Sequence, residues 1–362
     1  MTTIRATFAL LAAGTLLLAA CGGTDSTASG GDTQKPDGAC KPEQIKLIGQ
    51  VRNQTNPYEA AWLQGGDEFA KKVNLTQQRL TYDGESAKQQ EQIRQVLASG
   101  DARCTVLNVL PNGDSDTTPI VKQAQAAGAY LVTQWNKPAD LKPADYDRWI
   151  AHITYDGKDS GKQIAEALIK AIGGSGGIVA LQGILDTAAA KDRFAGLQAA
   201  LAEHPEVSLL DQQTADFDRA KALTLTKTLL TKHGDAIKGV WAANDDMALG
   251  ALQALEAAGK SGKVAVVGID AVPDAVKAVQ DGTMTATISS DGPWQGGIGL
   301  AMGYCAATGQ LNVASVQPRA FYAKQFLVTK DNAPQFATPK VDPAEFECAN
   351  LFSRVTGPVA DG

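Results

Sequence analysis

The stretch Val240-Trp241-Ala242-Ala243-Asn244-Asp245-Asp246-Met247-Ala248-Leu249-Gly250 decides the fold of this chain. Its first residues are apolar and compact, which is typical of a buried parallel strand. After Asn-Asp-Asp it continues as a helix, with Leu249, Leu252 and Leu255 on one side. Asn244 therefore lies where a strand ends and a helix begins. In open parallel α/β sheets, ligands bind in the crevice at that edge.

Two interpretations of Asn244 are open. A side-chain amide offers donors and an acceptor, which suits a neutral, hydroxyl-rich molecule. Alternatively, Asn244 or Asp245 only caps the helix that follows, which is an ordinary role for both residue types. The stretch alone favours the cap, and the rest of the chain favours a ligand site.

Composition excludes several classes of function. The 362 residues are 44% hydrophobic with a net charge of −6, which gives no basic surface for nucleic acid. Three histidines and five scattered cysteines offer no zinc-binding pattern, and we expect no metal or cofactor. No dinucleotide, Walker or Gly-x-Ser-x-Gly motif is present, and no nucleophile–base arrangement is evident. We therefore do not expect an enzyme.

The N-terminus has the form of an export signal. Arg5 precedes an apolar run, Phe8 to Leu18, that is too short to span a membrane. Leu18-Ala19-Ala20-Cys21-Gly22 follows and resembles a bacterial lipobox. We expect residues 1–20 to be removed, Cys21 to be lipidated at the outer face of the plasma membrane, and residues 21–42 to form a flexible tether. The alternative is a soluble secreted protein cleaved elsewhere.

Four cysteines remain beyond Cys21, and an even number in an exported protein suggests disulfides. Cys40 and Cys104 each precede a predicted strand, and neighbouring parallel strands would bring them together. Cys305 lies on a late helix and Cys348 in the tail. We predict the pairs Cys40–Cys104 and Cys305–Cys348, although the sequence alone permits three pairings.

Strand and helix alternate from Ile45 onward, which predicts parallel sheets covered by helices. The strands are too many for one small sheet, so we predict an α/β protein of two similar lobes. The chain crosses between them near Ile153, Ser289 and Tyr322. The expected segments are a first lobe of residues 43–153 plus 291–319, a second lobe of 154–290 plus 320–352, and a tail of 353–362. The predicted strands are 45–51, 75–82, 106–110, 130–133, 149–153, 178–181, one from 207, 237–242, 264–269, 284–288 and 320–328.

Several stretches, in this order, resemble the type 1 periplasmic sugar-binding proteins, the ribose/galactose-binding cluster that serves bacterial ABC importers. The resemblance covers about residues 45–328. The matching stretches are Asn56-Pro57-Tyr58, Leu181-Gln182-Gly183-Ile184, Ala189-Ala190-Lys191-Asp192-Arg193, Ala215-Asp216-Phe217-Asp218-Arg219, Asn244 to Leu252, and Val267-Gly268-Ile269-Asp270.

The resemblance implies two doubly wound parallel-sheet lobes joined by a three-strand hinge, with a sugar held between them. Family roles carry over to six positions. Asn56 and Tyr58 resemble the residues of the first lobe that contact the ligand. Arg193 resembles the arginine that donates to ligand hydroxyls, and Phe217 resembles an aromatic residue that stacks on the ligand. Asn244 and Asp270 resemble the polar pair that hydrogen-bonds the hydroxyls.

Four positions depart from ribose-binding relatives and change the expected ligand. The fourth strand ends in Trp135-Asn136 instead of Asp-Arg, Leu110 replaces an asparagine with Asn112 nearby, and Ser290 replaces a glutamine at the last hinge. We add Trp135, Asn136 and Ser290 to the expected site. Losing a charged pair and gaining a tryptophan gives the site an extra apolar wall. The chain resembles an actinobacterial branch that takes sugar alcohols, which implies a small acyclic polyol of the xylitol or threitol kind.

The expected partners are a small neutral polyol or sugar and an ABC permease, with the lipid anchor as the membrane contact and the protein a monomer. Alternatives remain open. The ligand could instead be a pentose or hexose, or the protein could serve a chemoreceptor or quorum-signal uptake system. A repressor-type sensor would need an N-terminal helix-turn-helix where the lipobox stands, and a sugar-processing enzyme should show turnover.

Overall fold

The computed structural model describes residues 39–338 and 340–359. The predicted signal peptide, the lipobox with Cys21 and all but the last residues of the tether lie outside the described residues. Within the described ranges, no helix combines the length and the apolar character needed to cross a membrane.

Strands follow the predicted βα alternation. In chain order they are β1 (Lys46–Val51), β2 (Gln77–Thr81), β3 (Thr105–Val109), β4 (Tyr130–Gln134), β5 (Trp149–Thr154), β6 (Gly176–Gln182), β7 (Val207–Thr214), β8 (Ile237–Ala242), β9 (Ala265–Val267), β10 (Thr287–Ile288), β11 (Ala320–Ala323), β12 (Leu327–Val328) and β13 (Val355–Pro358). The single strand expected over 320–328 is two strands, because β11 and β12 pair in different sheets.

Two main sheets define two lobes. The first lobe has the strand order β13-β11-β5-β4-β3-β1-β2, and only β13 runs antiparallel to its neighbour. The second lobe has the order β7-β6-β8-β9, with all neighbours parallel. Beyond β9, the bridge between Asp270 and Ser289 continues this sheet. The fold class expected from the sequence is therefore confirmed.

Helices cover both sheets. They are α1 (Pro57–Lys72), α2 (Ser86–Ala98), α3 (Asp114–Ala127), α4 (Gly157–Ala171), α5 (Ala188–Glu203), α6 (Arg219–His233), α7 (Asp245–Ala257), α8 (Pro273–Asp281) and α9 (Gly292–Ala307). Helices α1 and α9 approach so closely that a Cβ at Gly296 would overlap the carbonyl of Trp62. The backbone contact needs glycine there, and Trp62 is fully buried beneath it, as its helical spacing predicts.

The segments after residue 319 join different lobes from those we expected. Strand β11 was expected in the second lobe, but it pairs with β5 of the first sheet. Strand β13 was expected to be a tail, but it pairs with β11 and completes that sheet. Between them, β12 pairs with β10, and residues 333–336 pack on α8 of the second lobe. Residues 343–346 pack on α9, so the chain returns to the first lobe before Cys348.

Both predicted disulfides are present. Cys40 pairs with Cys104, with 5.8 Å between their Cα atoms, because each residue lies just before a first-lobe strand. Cys305 on α9 pairs with Cys348, with a Cα separation of 5.7 Å. This second bond fixes the returning segment to the helix that covers the first sheet, which explains why the C-terminal residues belong to the first lobe.

Candidate functional site

A cavity of about 250 Å³ lies between the lobes, at the carboxyl ends of strands from both sheets. Parallel α/β sheets place ligand sites at this edge. Eight of the nine side chains expected to form the site line this cavity: Asn56, Tyr58, Trp135, Asn136, Arg193, Phe217, Asn244 and Asp270.

Arg193 is held from the second-lobe side of the cavity. It is only 3% exposed, and its Nη1 donates to the carbonyl of Ala243, directly after β8, at 2.6 Å. Its Nη2 lies 3.7 Å from Oδ1 of Asp270. Its buried Nε has no hydrogen-bond partner. A guanidinium fixed in this way keeps spare donors next to the cavity.

Asp270 follows β9 and is buried beside Arg193. Burial raises the pKa of its carboxyl, the guanidinium of Arg193 opposes this shift, and the nearby Asp245 adds to it. Asp245 was expected to be a helix cap, but its carboxylate instead accepts from the Val272 N–H at 3.0 Å and the Thr287 hydroxyl at 2.7 Å. It therefore holds the turn that carries Asp270.

Asn244 caps a helix and also lies in the cavity wall. Its Oδ1 accepts from the Met247 N–H at 3.1 Å, so it caps α7. Its amide also hydrogen-bonds the carboxylate of Asp270 and favours the ionised form. Because one amide carries both a donor and an acceptor, capping the helix does not prevent Asn244 from lining the cavity.

The first lobe supplies an aromatic wall. Trp135 Nε1 donates to the Tyr58 hydroxyl at 2.9 Å, and that hydroxyl also contacts Gln295. The guanidinium of Arg193 lies 4.8 Å from the centre of the Trp135 ring, so a cation–π contact joins the two lobes. Trp135, which could have been core or site wall, lines the cavity.

Amide groups occupy other parts of the wall. Asn56 caps α1 by accepting from the Tyr58 N–H at 3.0 Å, and its Nδ2 lies 3.5 Å from the Phe217 carbonyl of the other lobe. Asn136 donates to the Pro111 carbonyl at 2.8 Å, while its buried Oδ1 has no partner. An unpartnered buried acceptor needs a donor, which a ligand hydroxyl can provide.

Several wall residues have left-handed backbone conformations. The φ angles are 67° at Trp135, 54° at Asp216, 56° at Phe217 and 132° at Asp270. Each costs of order 1–3 kcal/mol for a non-glycine residue, and such strain concentrates at binding sites. The ring of Phe217 packs on the backbone of Gly183, where any Cβ would overlap it.

Ser290 is not part of this cavity. It is buried at the hinge, where its hydroxyl accepts from Gln325 Nε2 at 3.2 Å, and it lines a separate cavity. The structure therefore does not place Ser290 with the other eight expected residues, and its contact with a ligand stays a prediction. Tyr58 and Asp270 border both cavities.

Sequence reasoning missed several polar residues of the cavity. Asp246, which follows Asn244 and Asp245 at the start of α7, lines the cavity while paired with Arg219 at 2.7 Å. Glu59 has the position of an ordinary capping-box residue, yet it accepts from the Asn53 N–H at 2.8 Å and also lines the cavity. Only its position next to Tyr58 in the sequence could have indicated this. Arg52, Asn53, Asn112 and Asp218 line the cavity as well.

The lobes also contact each other directly beside the cavity. Asp114 at the start of α3 donates its N–H to the Asp186 carbonyl at 2.8 Å, and its carboxylate lies 2.8 Å from Lys191 Nζ on α5. Ser115 donates its hydroxyl to the Asp186 carboxylate at 2.6 Å. These polar contacts form a latch, defined by Asp114, Ser115, Asp186 and Lys191.

Comparison with known proteins agrees with this geometry. The model of the periplasmic binding protein domain matches residues 51–311, which is most of the chain. The chain belongs to the periplasmic binding protein family. It is therefore a solute-binding transport protein that acts outside the cytoplasm, and not an enzyme.

Three proteins show how this periplasmic binding protein relates to others. The ribose import binding protein of Escherichia coli is 35% identical over 251 residues, 69% of this chain and 80% of that protein. The xylitol-binding protein of Mycolicibacterium smegmatis is 30% identical over 326 residues, 90% of this chain and 85% of that protein. The crystal structure of a twin-arginine translocation pathway signal protein from Burkholderia phytofirmans has a TM-score of 0.84 and 41% identity, covering 88% of this chain and 99% of that one.

Proposed function

We propose that this periplasmic binding protein captures a small sugar alcohol of the xylitol or threitol kind and delivers it to an ABC permease. The lipobox-like sequence supports a second part of the proposal, in which a lipidated Cys21 anchors the protein at the outer face of the plasma membrane.

The observation that carries the ligand class is the pairing of Arg193 with Asp270. Their opposite charges compensate within the site, so this pair favours a neutral ligand. Each still offers hydrogen-bonding capacity: the guanidinium can donate to hydroxyl oxygens, and the carboxylate can accept hydroxyl hydrogens. Asn136 adds a free acceptor. A molecule with a hydroxyl on each of several neighbouring carbons matches this set.

Two further observations favour an acyclic polyol over a sugar ring. Trp135 places an apolar face at the end of the fourth strand, next to the guanidinium of Arg193. The xylitol-binding relative also aligns with 90% of this chain, whereas the ribose import relative aligns with 69%. A pentose or hexose is the second candidate, supported by the higher identity of the ribose import relative.

The mechanism follows from the fact that both lobes contribute residues to the wall of the cavity. Arg193, Asn244 and Asp270 belong to the second lobe, while Tyr58 and Trp135 belong to the first. Only a conformation that brings the lobes together lets one ligand contact both sets. Ligand binding therefore shifts a hinge equilibrium toward closure. The closed form is then the one the permease receives.

Thermal unfolding of the purified protein with xylitol, D-threitol, D-ribose or D-allose tests the ligand class. A ligand at 100 times its dissociation constant stabilises the native state by about 2.7 kcal/mol, which raises the Tm by several degrees. We expect xylitol or threitol to give the largest shift. A larger shift with ribose or allose favours the second candidate, and no shift with any of the four contradicts the polyhydroxylated ligand class.

The latch should contribute modestly to closure. Lys191 is half exposed, and exposed ion pairs contribute about 0.2–1 kcal/mol. We expect Lys191→Ala to raise the dissociation constant of the bound polyol by about two- to fivefold, mainly through faster release. Stopped-flow fluorescence measures the release rate. Lys162→Ala is the matched control, because Lys162 pairs with Glu203 within the second lobe at 2.6 Å. Equal effects of the two variants would count against the latch.

A further inference from the structure

Glu59 is a buried carboxylate in the wall of the main cavity. It lies at the third position of α1, directly after Tyr58, and is 9% exposed. Its Oε2 accepts from the Asn53 N–H at 2.8 Å, which ties the loop after β1 to the helix. The backbone N–H of Arg52 also acts on this carboxylate as a hydrogen-bond donor. These two bonds leave about half of the acceptor capacity unused, since two carboxylate oxygens can accept about four hydrogen bonds.

No basic side chain among the described residues forms an ion pair with Glu59. The guanidinium of Arg52 acts on it electrostatically, but its Nη2 donates to the Asn112 side chain at 2.6 Å instead. Two other carboxylates of the wall are paired: Asp216 with Lys221 at 2.7 Å, and Asp246 with Arg219 at 2.7 Å. Glu59 thus differs from them in being buried without a partner of opposite charge, which is costly unless hydrogen bonds compensate.

The second lobe faces Glu59 with another carboxylate. Asp246, on α7, acts on Glu59 across the cavity as a like charge. Bringing the lobes together therefore places two acidic groups on opposite walls. A ligand that donates hydrogens into this space reduces the repulsion, and an empty cavity does not. The arrangement makes the far end of the cavity selective for hydrogen-bond donors.

We propose that Glu59 is a ligand-binding and specificity-determining residue that accepts a ligand hydroxyl at the first-lobe end of the cavity. The inference rests on the proposed function, because the donor is a hydroxyl of the polyol or sugar. The ligand then spans the cavity, with Arg193 and Asp270 at one end and Glu59 at the other. Ligands without a hydroxyl to reach Glu59 are discriminated against.

Protonation should then modulate binding. Burial raises the pKa of Glu59 to about 7, opposed by the hydrogen bond from Asn53 and by Arg52, while Asp246 adds to the rise. Tyr82 is a further titratable group that interacts electrostatically with Glu59. The ionised carboxylate is the stronger acceptor, so a bound hydroxyl lowers the pKa of Glu59. Affinity therefore rises with pH up to about 7 and is constant above it. A decrease of one pKa unit on binding corresponds to a tenfold rise in affinity.

Calorimetric titration with xylitol between pH 5 and 8.5, and with D-ribose if xylitol gives no heat, tests the proposal on wild type and Glu59→Gln. Glutamine keeps an acceptor for the Asn53 N–H but cannot ionise. We expect Glu59→Gln to lose about tenfold in affinity at pH 8 and to remove the part of the pH dependence centred near pH 7. Asp245 and Asp270 remain in both proteins, so the difference between the two profiles isolates Glu59.

Glu68→Gln, an exposed substitution on the same helix, is the control and should match wild type. Parallel pH profiles for wild type and Glu59→Gln overturn the proposal. A loss of affinity that is equal at every pH and accompanied by a lower Tm also overturns it. That result would show that Glu59 only holds the loop at Asn53 in place and does not contact the ligand. Absence of binding by wild type to both ligands contradicts the proposed function itself and removes this inference with it.

Discussion

Replacing Arg193 with alanine is expected to abolish measurable binding of the polyol, with a dissociation constant at least 100-fold higher. A hydrogen bond to a charged group contributes about 1.5–3 kcal/mol, and Arg193 has donors for more than one. The substitution also removes the charge that faces Asp270 and the cation–π contact with Trp135. Calorimetry gives the affinity, and thermal unfolding gives the stability of the same samples.

The Arg193 prediction needs variants that separate binding from folding. Leaving a buried charge unpaired costs about 3–5 kcal/mol, so Arg193→Ala should also lower the Tm. Arg193→Lys keeps the charge but loses the planar donor geometry, and we expect it to fold better and still bind at least tenfold more weakly. Arg94→Ala, on the exposed face of α2, is the control. A folded Arg193→Ala protein with affinity within threefold of wild type would contradict the assignment of the site.

Removing the disulfide between Cys305 and Cys348 should give a large loss of stability. The bond closes a loop with a sequence separation of 43 residues. In the chain-entropy description, such a cross-link stabilises the native state by about 4 kcal/mol. We expect the free energy of unfolding of the Cys305→Ala, Cys348→Ala double variant to be lower by this amount. Urea unfolding followed by tryptophan fluorescence measures it, with the midpoint shifted to a lower urea concentration.

The comparison with Cys40 and Cys104 makes this prediction more specific. Their bond has a sequence separation of 64, so the corresponding double alanine variant should lose a similar amount. The two variants should differ in proteolysis: loss of the Cys348 bond frees the segment that returns to the first lobe, and cleavage should concentrate there. An unfolding midpoint of either variant equal to that of wild type would show that the bond is not stabilising.

The strands were predictable because each is a short apolar run between turn residues, and Ile237–Ala242 was located without error at both ends. The assignment of residues after 319 failed for a physical reason. Strands β11 and β12 are separated by only three residues, and local sequence does not say which sheet each joins. That choice depends on pairing with β5 and β10, which are distant in the chain.

Some residues of the cavity could be predicted from the sequence, and others could not. Asn244 and Asp270 could be placed because they directly follow strands, where the sheet edge fixes their location. Glu59 could not, because a glutamate at the third helical position is a common capping residue. Its approach to the cavity depends on the bend of the loop at Asn53. The cavity that Ser290 lines could not be predicted from the sequence, because a hinge residue can face either side of the crossing strands.

The left-handed conformations at the cavity wall limit how this pocket can be redesigned. At Trp135 the main chain follows a path that β-branched residues resist, whatever ligand is intended. Valine or isoleucine there would disturb the chain direction before any change in selectivity could be observed. Asparagine or glycine would keep that path, so a library aimed at new cargo should vary this position among them and keep Asn136, whose amide donates to the Pro111 carbonyl.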